Sequence, residues 1–195
     1  FDAEAQIVRE LGKFLKEGSL YRGFKPVLWS TVEKTALADA EVEYQDHKSD
    51  TIYTAFIVAS SKINELIGSD VIIWTTTPWT IPANKALAYN QSLDYLLIQI
   101  DDGEFKNRKI IIADALLESV IKDCNIGNHQ ILKKFKGNDL ENSICKHPFY
   151  DLGYDYDIPM LEARFVTIEQ GTGIVHCAPS HGPDDFNLCQ NNGIK

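Results

Sequence analysis

The chain has 195 residues, a formal net charge of −9, 44% hydrophobic and 24% charged residues. That composition fits a globular domain with enough apolar material for its own core, and its acidity argues against a surface that grips nucleic acid by its phosphates. No run of eighteen apolar residues occurs, so no membrane-spanning helix is expected, and the four cysteines (Cys124, Cys145, Cys177, Cys189) form no CxxC pair, which suits a reducing cytoplasm and small buried thiols.

The opening Phe1-Asp2-Ala3-Glu4 lacks an initiator Met and a signal-peptide pattern, as expected of a segment from inside a longer chain. Ile7, Leu11, Phe14 and Leu15 follow helical spacing and predict a helix from about residue 3 to 17. Strand signals follow. Alternation predicts strands at Glu41–Tyr44 and Thr51–Val58, and the apolar run Asp70–Thr75 predicts a buried one. Tyr95–Ile100 and Lys109–Ile112 read as a pair turned at Asp101-Asp102-Gly103. Asp114 is placed to cap a helix through Lys122. Phe165–Ile168 and Gly173–His176 read as strands about a Gln170–Gly173 turn, and a last helix is expected near Pro183. Short strands with few helices predict a β-rich α+β domain over residues 1–195, with the first twenty residues a helical lead-in.

Two segments concentrate chemistry. The first is Trp74-Thr75-Thr76-Thr77-Pro78-Trp79-Thr80-Ile81-Pro82-Ala83-Asn84, whose hydroxyls, indole and amide suit a small polar pocket. The competing account is that Thr favours strands and Pro ends them. The second runs from Gly171 to Phe186 and crowds His176, His181, Ser180, Asp184 and Asp185 into one strand–loop–helix passage. Loops at strand ends often carry function, while Asp184 reads as a helix cap or a solvated carboxylate rather than a functional group. His176, Cys177, His181 and Cys189 match no common zinc spacing, and adjacent strand residues point to opposite faces, so no metal site is expected. Nothing marks a thiol as activated.

Together these segments resemble the editing insertion of class I aminoacyl-tRNA synthetases, in the version of the isoleucyl-tRNA synthetases. The likeness rests on Thr75 through Asn84, on Gly171-Thr172-Gly173-Ile174-Val175-His176 with Ala178-Pro179, His181-Gly182 and Asp185-Phe186, and on Gly23–Val27, Trp29-Ser30, Thr35–Ala38, Glu41–Tyr44 and His147-Pro148-Phe149. Arg164-Phe165 stands where the family often has Asp-Tyr, and no His-Ile-Gly-His or Lys-Met-Ser-Lys-Ser occurs, so amino-acid activation is not expected of this segment.

The resemblance implies a β-barrel-rich editing fold with peripheral helices, needing no cofactor. It implies a hydrolase that removes valine from mischarged tRNA for isoleucine, and valyl-adenylate as well, while excluding isoleucine by size. Its partners would be the aminoacylated 3′ end of that tRNA and the rest of the synthetase chain. Asp185 would anchor the substrate ammonium. Thr75, Thr76, Thr77 and Asn84 would line the pocket and hold the ribose or a water. Trp79 would flank the adenine, with ordinary core as its alternative. His176, with Thr77, would form the wall against isoleucine, with a satisfied core histidine as its alternative. A module that docks the tRNA end without cutting, and an unrelated metal hydrolase, are the rival readings.

Overall fold

The computed structural model describes residues 1–194. The apolar runs become the middle of one mixed sheet. Its strands are β3 (Ile52–Ser60), β4 (Asp70–Thr75), β5 (Ala86–Tyr89), β6 (Asp94–Ile100), β7 (Lys109–Ala113), β8 (His129–Lys136), β9 (Ile144–Lys146), β10 (Asp157–Glu162) and β11 (Ile174–Cys177). A separate two-stranded ribbon, β1 (Trp29–Ser30) and β2 (Thr35–Ala36), precedes them. The order across the large sheet is β11-β5-β10-β9-β3-β4-β7-β6-β8. Two pairs are parallel, β4 with β7 and β5 with β10, and the others are antiparallel.

The sheet coils back on itself. β11 returns against β4, and the Ala113 N–H at the end of β7 donates to the Thr172 carbonyl just before β11 at 2.8 Å. Inside the coil lie Phe56, Leu66, Ile73, Leu87, Tyr95 and Ile111, each fully buried. Each such side chain contributes about 1.5–3 kcal/mol on leaving water. Tyr95 keeps its hydroxyl satisfied there by donating to the Gly173 carbonyl at 2.8 Å. The helices α1 (Asp2–Lys16), α2 (Leu117–Asp123) and α3 (Pro183–Asn191) lie at the periphery, so the class is the expected α+β.

The helix expected over the opening residues forms as α1, yet it buries no residue; Ile7, Leu11 and Phe14 are all exposed. Three expectations fail for local reasons. Glu41–Tyr44 is not a strand: Glu41 closes a 3₁₀ turn and its carboxylate accepts the Ala38 N–H at 2.7 Å, a local bond that competes with a ladder. Phe165–Ile168 is irregular, because the Val166 carbonyl is taken by the Asn90 side-chain amide at 3.1 Å rather than by a strand. The helix expected through Lys122 forms as α2, but Asp114 does not cap it; Asp114 opens the 3₁₀ turn before it and accepts from the Lys134 ammonium at 2.5 Å. Among the described residues, no helix is long and apolar enough to cross a membrane.

Candidate functional site

β4 ends at Thr75 and runs into a 3₁₀ turn, Pro78–Ala83, with Pro78 at a first position where a missing N–H costs nothing. The threonines fold over one another at this junction. The Thr75 hydroxyl accepts the Thr77 N–H at 3.1 Å, and the Thr80 hydroxyl donates to the Thr77 carbonyl at 2.8 Å. Thr75 and Thr77 hydroxyls lie 3.3 Å apart, and Thr77 and Thr80 hydroxyls 3.4 Å apart. Thr76 alternates outward and is exposed.

β11 reaches the same place from the other side, placing His176 opposite Leu87 of β5. Its approach depends on Gly173. That residue has φ +75°, and a Cβ there would stand 2.3 Å from the Ala113 Cβ, so only glycine fits. Beyond β11, α3 starts at Pro183 and carries Asp185 in its first turn. The Asp185 carboxylate accepts the Ala178 N–H at 2.9 Å.

These elements enclose a cleft of about 450 Å³. Its lining includes Thr75, Thr76, Thr77, Trp79, His176 and Asp185, six of the seven residues singled out from the sequence. Trp74, Thr80, Phe165 and Gln170 join them. Trp79 is 68% exposed, which removes its reading as ordinary core. Asn84 is the exception. It is fully buried behind the cleft rather than in its lining, where its side-chain amide donates to the Ala86 carbonyl and to His176 Nδ1, at 2.9 and 2.8 Å.

That contact fixes the histidine. With Nδ1 accepting from Asn84, the ring proton resides on Nε2 and is donated to the Thr80 hydroxyl at 2.8 Å. The chain of donors runs Asn84, His176, Thr80, Thr77 carbonyl. Burial foremost, with the neighbouring His147 and His181 adding to it, pushes the His176 pKa down to about 4. The ring is therefore neutral near pH 7 and has no free nitrogen with which to take a proton. It is a pinned, rigid surface.

Asp185 is different. Burial raises its pKa first and the adjacent Asp184 adds to the rise, while the Ala178 N–H and His181 oppose them. A cation placed in the cleft beside it would relieve that penalty. Asp184 is exposed and makes no capping bond, the solvated alternative for this residue. Ser180 lines a separate hollow with Phe24 and Phe186. Thiol chemistry has no foothold. Three of the four cysteines are buried, and burial pushes the Cys145 thiol up to about 12 and the Cys189 thiol up to about 11. Among the described residues, no three His, Cys, Asp or Glu side chains gather as a ligand set.

Thr80 is the cleft residue that sequence reasoning did not single out. It stood in the threonine-rich segment, but its link to His176 exists only once the 3₁₀ turn folds its hydroxyl back.

A family model for class I tRNA synthetases (I, L, M and V) matches residues 1–171. The isoleucine–tRNA ligase of Pelagibacter ubique is 79% identical over the whole chain, which covers 22% of that protein. That of Gluconobacter oxydans is 48% identical over the whole chain, which covers 21% of it. The chain thus spans about a fifth of the length of these curated relatives. Among solved structures, the P. knowlesi cytosolic leucyl-tRNA synthetase editing domain aligns with a TM-score of 0.54 at 14% identity, over 72% of this chain and 60% of that one. GlLeuRS-CP1 aligns with a TM-score of 0.50 at 19% identity, over 65% and 50%. At such identities the likeness speaks to the fold alone.

Proposed function

This chain belongs to the class I tRNA synthetases, and from that premise we propose that it is the proofreading domain of a cytoplasmic isoleucyl-tRNA synthetase, hydrolysing valine from mischarged tRNA for isoleucine. The need is physical. A single methylene in an apolar pocket is worth only about 1–3 kcal/mol, and isoleucine against valine is the standard case of that limit. A second site that admits the smaller side chain and hydrolyses it removes the error.

The observation that carries the reading is the presence of Asp185 and a pinned His176 in the lining of one cleft. A carboxylate disfavoured by burial gains from the α-ammonium of an aminoacyl ester. It thereby orients the ester and requires a free amino group. A size filter, in turn, works only if it does not yield. His176, bonded at both nitrogens, cannot swing aside for an extra methylene. Thr77 continues that wall.

Hydrolysis of an ester that is already activated needs a positioned water and donors for the developing oxyanion. Thr76, exposed and part of the cleft lining, is the threonine a water could reach first. His176 is not the base, since neither nitrogen is free, and no thiol is poised to attack. Trp79, exposed at the rim, offers a face for the terminal adenine. Valyl-adenylate presents the same ammonium and side chain, and so would be a second substrate. The acidic surface leaves most of the grip on the tRNA to the rest of the synthetase chain.

The test is deacylation of valyl- and isoleucyl-tRNA side by side, with and without a chelator. Rapid release of valine only, unaffected by the chelator, is expected. Equal release of both amino acids sinks the sieve. Binding without release points to a docking module, and loss on chelation points to a metal hydrolase.

A further inference from the structure

The turn that carries Thr80 and Asn84 has few hydrogen bonds of its own. Inside it, the Thr80 N–H donates to the Thr77 carbonyl and the Asn84 N–H to the Ile81 carbonyl, both at 3.0 Å. Two further bonds come from side chains far along the sequence. His147, just past β9 and buried, donates from Nε2 to the Ile81 carbonyl at 2.9 Å. Its tautomer follows from the other nitrogen, because Nδ1 accepts the Phe149 N–H at 3.0 Å. Tyr156, just before β10, donates its hydroxyl to the Asn84 carbonyl at 3.0 Å.

Both rings are themselves held. His147 stacks on Tyr154 with centroids 4.7 Å apart and planes 16° off parallel, and the edge of Phe56 meets it at 6.1 Å. The Lys85 ammonium sits 3.9 Å above the Tyr156 ring. Neither side chain is among those lining the cleft. Each anchored carbonyl nevertheless stands at or beside a residue that pins His176. Ile81 follows Thr80, which accepts from Nε2, and Asn84 itself donates to Nδ1.

We infer that His147 and Tyr156 are positioning residues for the size filter, holding the turn 78–84 so that Thr80 and Asn84 keep the His176 ring in place. The inference rests on the valine-selective reading of the cleft. Loosening these anchors changes which ester is accepted more than how fast valine is removed, because the anchors touch the wall and not Asp185.

The test uses the full-length synthetase with Tyr156→Phe, His147→Leu and His147→Gln. Glutamine keeps a side-chain N–H near the Nε2 position. Losing one such bond should lower the valine-to-isoleucine ratio of deacylation rates by about 3- to 10-fold in Tyr156→Phe and His147→Leu, with the valine rate within about twofold of wild type. His147→Gln should recover most of the ratio. Independently of activity, nuclear magnetic resonance of labelled histidine in Tyr156→Phe should show the His176 pKa rising from about 4 toward 6.5 as water reaches the loosened ring. An equal loss on both esters with a falling Tm marks a merely structural role and overturns the inference. So does an unchanged ratio with an unmoved His176 titration. If the wild-type enzyme fails to favour valine, the valine-selective reading falls, and the titration alone decides whether the anchors control His176.

Discussion

Replacing His176 with Ala should open the cleft to isoleucine. The two esters differ by one methylene, so the most the wall can refuse is set by that group, about 1–3 kcal/mol or roughly 10- to 200-fold. With the imidazole gone, isoleucyl-tRNA should be deacylated about 10- to 100-fold faster than by the wild type, while the valine rate changes little because Asp185 and the threonines are untouched. The fold also loses something. The Thr80 hydroxyl and the Asn84 amide both lose their partner, and each would cost about 1–3 kcal/mol if left dry. The vacated space opens onto the cleft, however, so water can take over those bonds, and a net cost of about 1–3 kcal/mol is expected. For a domain of this size that corresponds to a Tm lower by about 3–10 °C. The assay is the initial rate of release of labelled isoleucine from tRNA, with thermal unfolding of the same sample as the control. A well-folded variant that still ignores isoleucyl-tRNA would show that His176 is not the wall and would leave Thr77 as the candidate.

Asp185→Asn should slow release of valine by about 10- to 100-fold through loss of a charge-assisted bond, yet raise Tm at pH 7. The folded carboxyl is pushed above its ordinary value by burial, so its contribution to stability is lost as pH rises through that range, and a neutral amide avoids the loss; an unchanged or lower Tm contradicts this. His176 acts in the opposite direction. Its folded pKa is depressed from 6.5 to about 4, so its contribution is complete above 6.5 and is lost as pH falls toward 4, at most about 3 kcal/mol. Denaturant titrations across that window should be flatter for His176→Gln than for wild type, and identical slopes would refute it. Gly173→Ala should destabilise by roughly 2–4 kcal/mol, combining a left-handed backbone penalty with overpacking against Ala113; a midpoint shift in urea unfolding measures it.

The sequence announced those elements that carry a long enough apolar run or alternation. β3, β4, β6, β7 and β11 were legible because apolar runs or alternation mark them. β5 was not, since Ala86-Leu87-Ala88-Tyr89 is too short for a period to show and is buried on both faces. β8 was hidden for the opposite reason. It is a lysine-rich edge strand, and exposed polar side chains give no signal. Phe165–Ile168 misled because β-branched residues suit strands only when a ladder partner exists, and Asn90 occupies the carbonyl. At the site, the motif residues were legible through family resemblance, while their division of labour was not. Asn84 and Thr80 take their roles from hydrogen bonds to a ring about ninety residues away, which no local pattern encodes.

The pairing of β5 also sets a timetable for synthesis. All four of its residues are buried, and both of its ladder partners, β10 and β11, lie beyond residue 156. A nascent chain therefore leaves the ribosome with this apolar strand unpaired on both edges for about the next seventy residues, until β10 emerges, a contact order that slows folding and invites mispairing. The cleft cannot be complete until β11 has inserted beside β5, and Asp185 arrives later still. Chains stalled before that point would carry an orphaned β5 edge and an unfinished cleft, so a chaperone that shields β5 would raise the share of chains in which the cleft is completed.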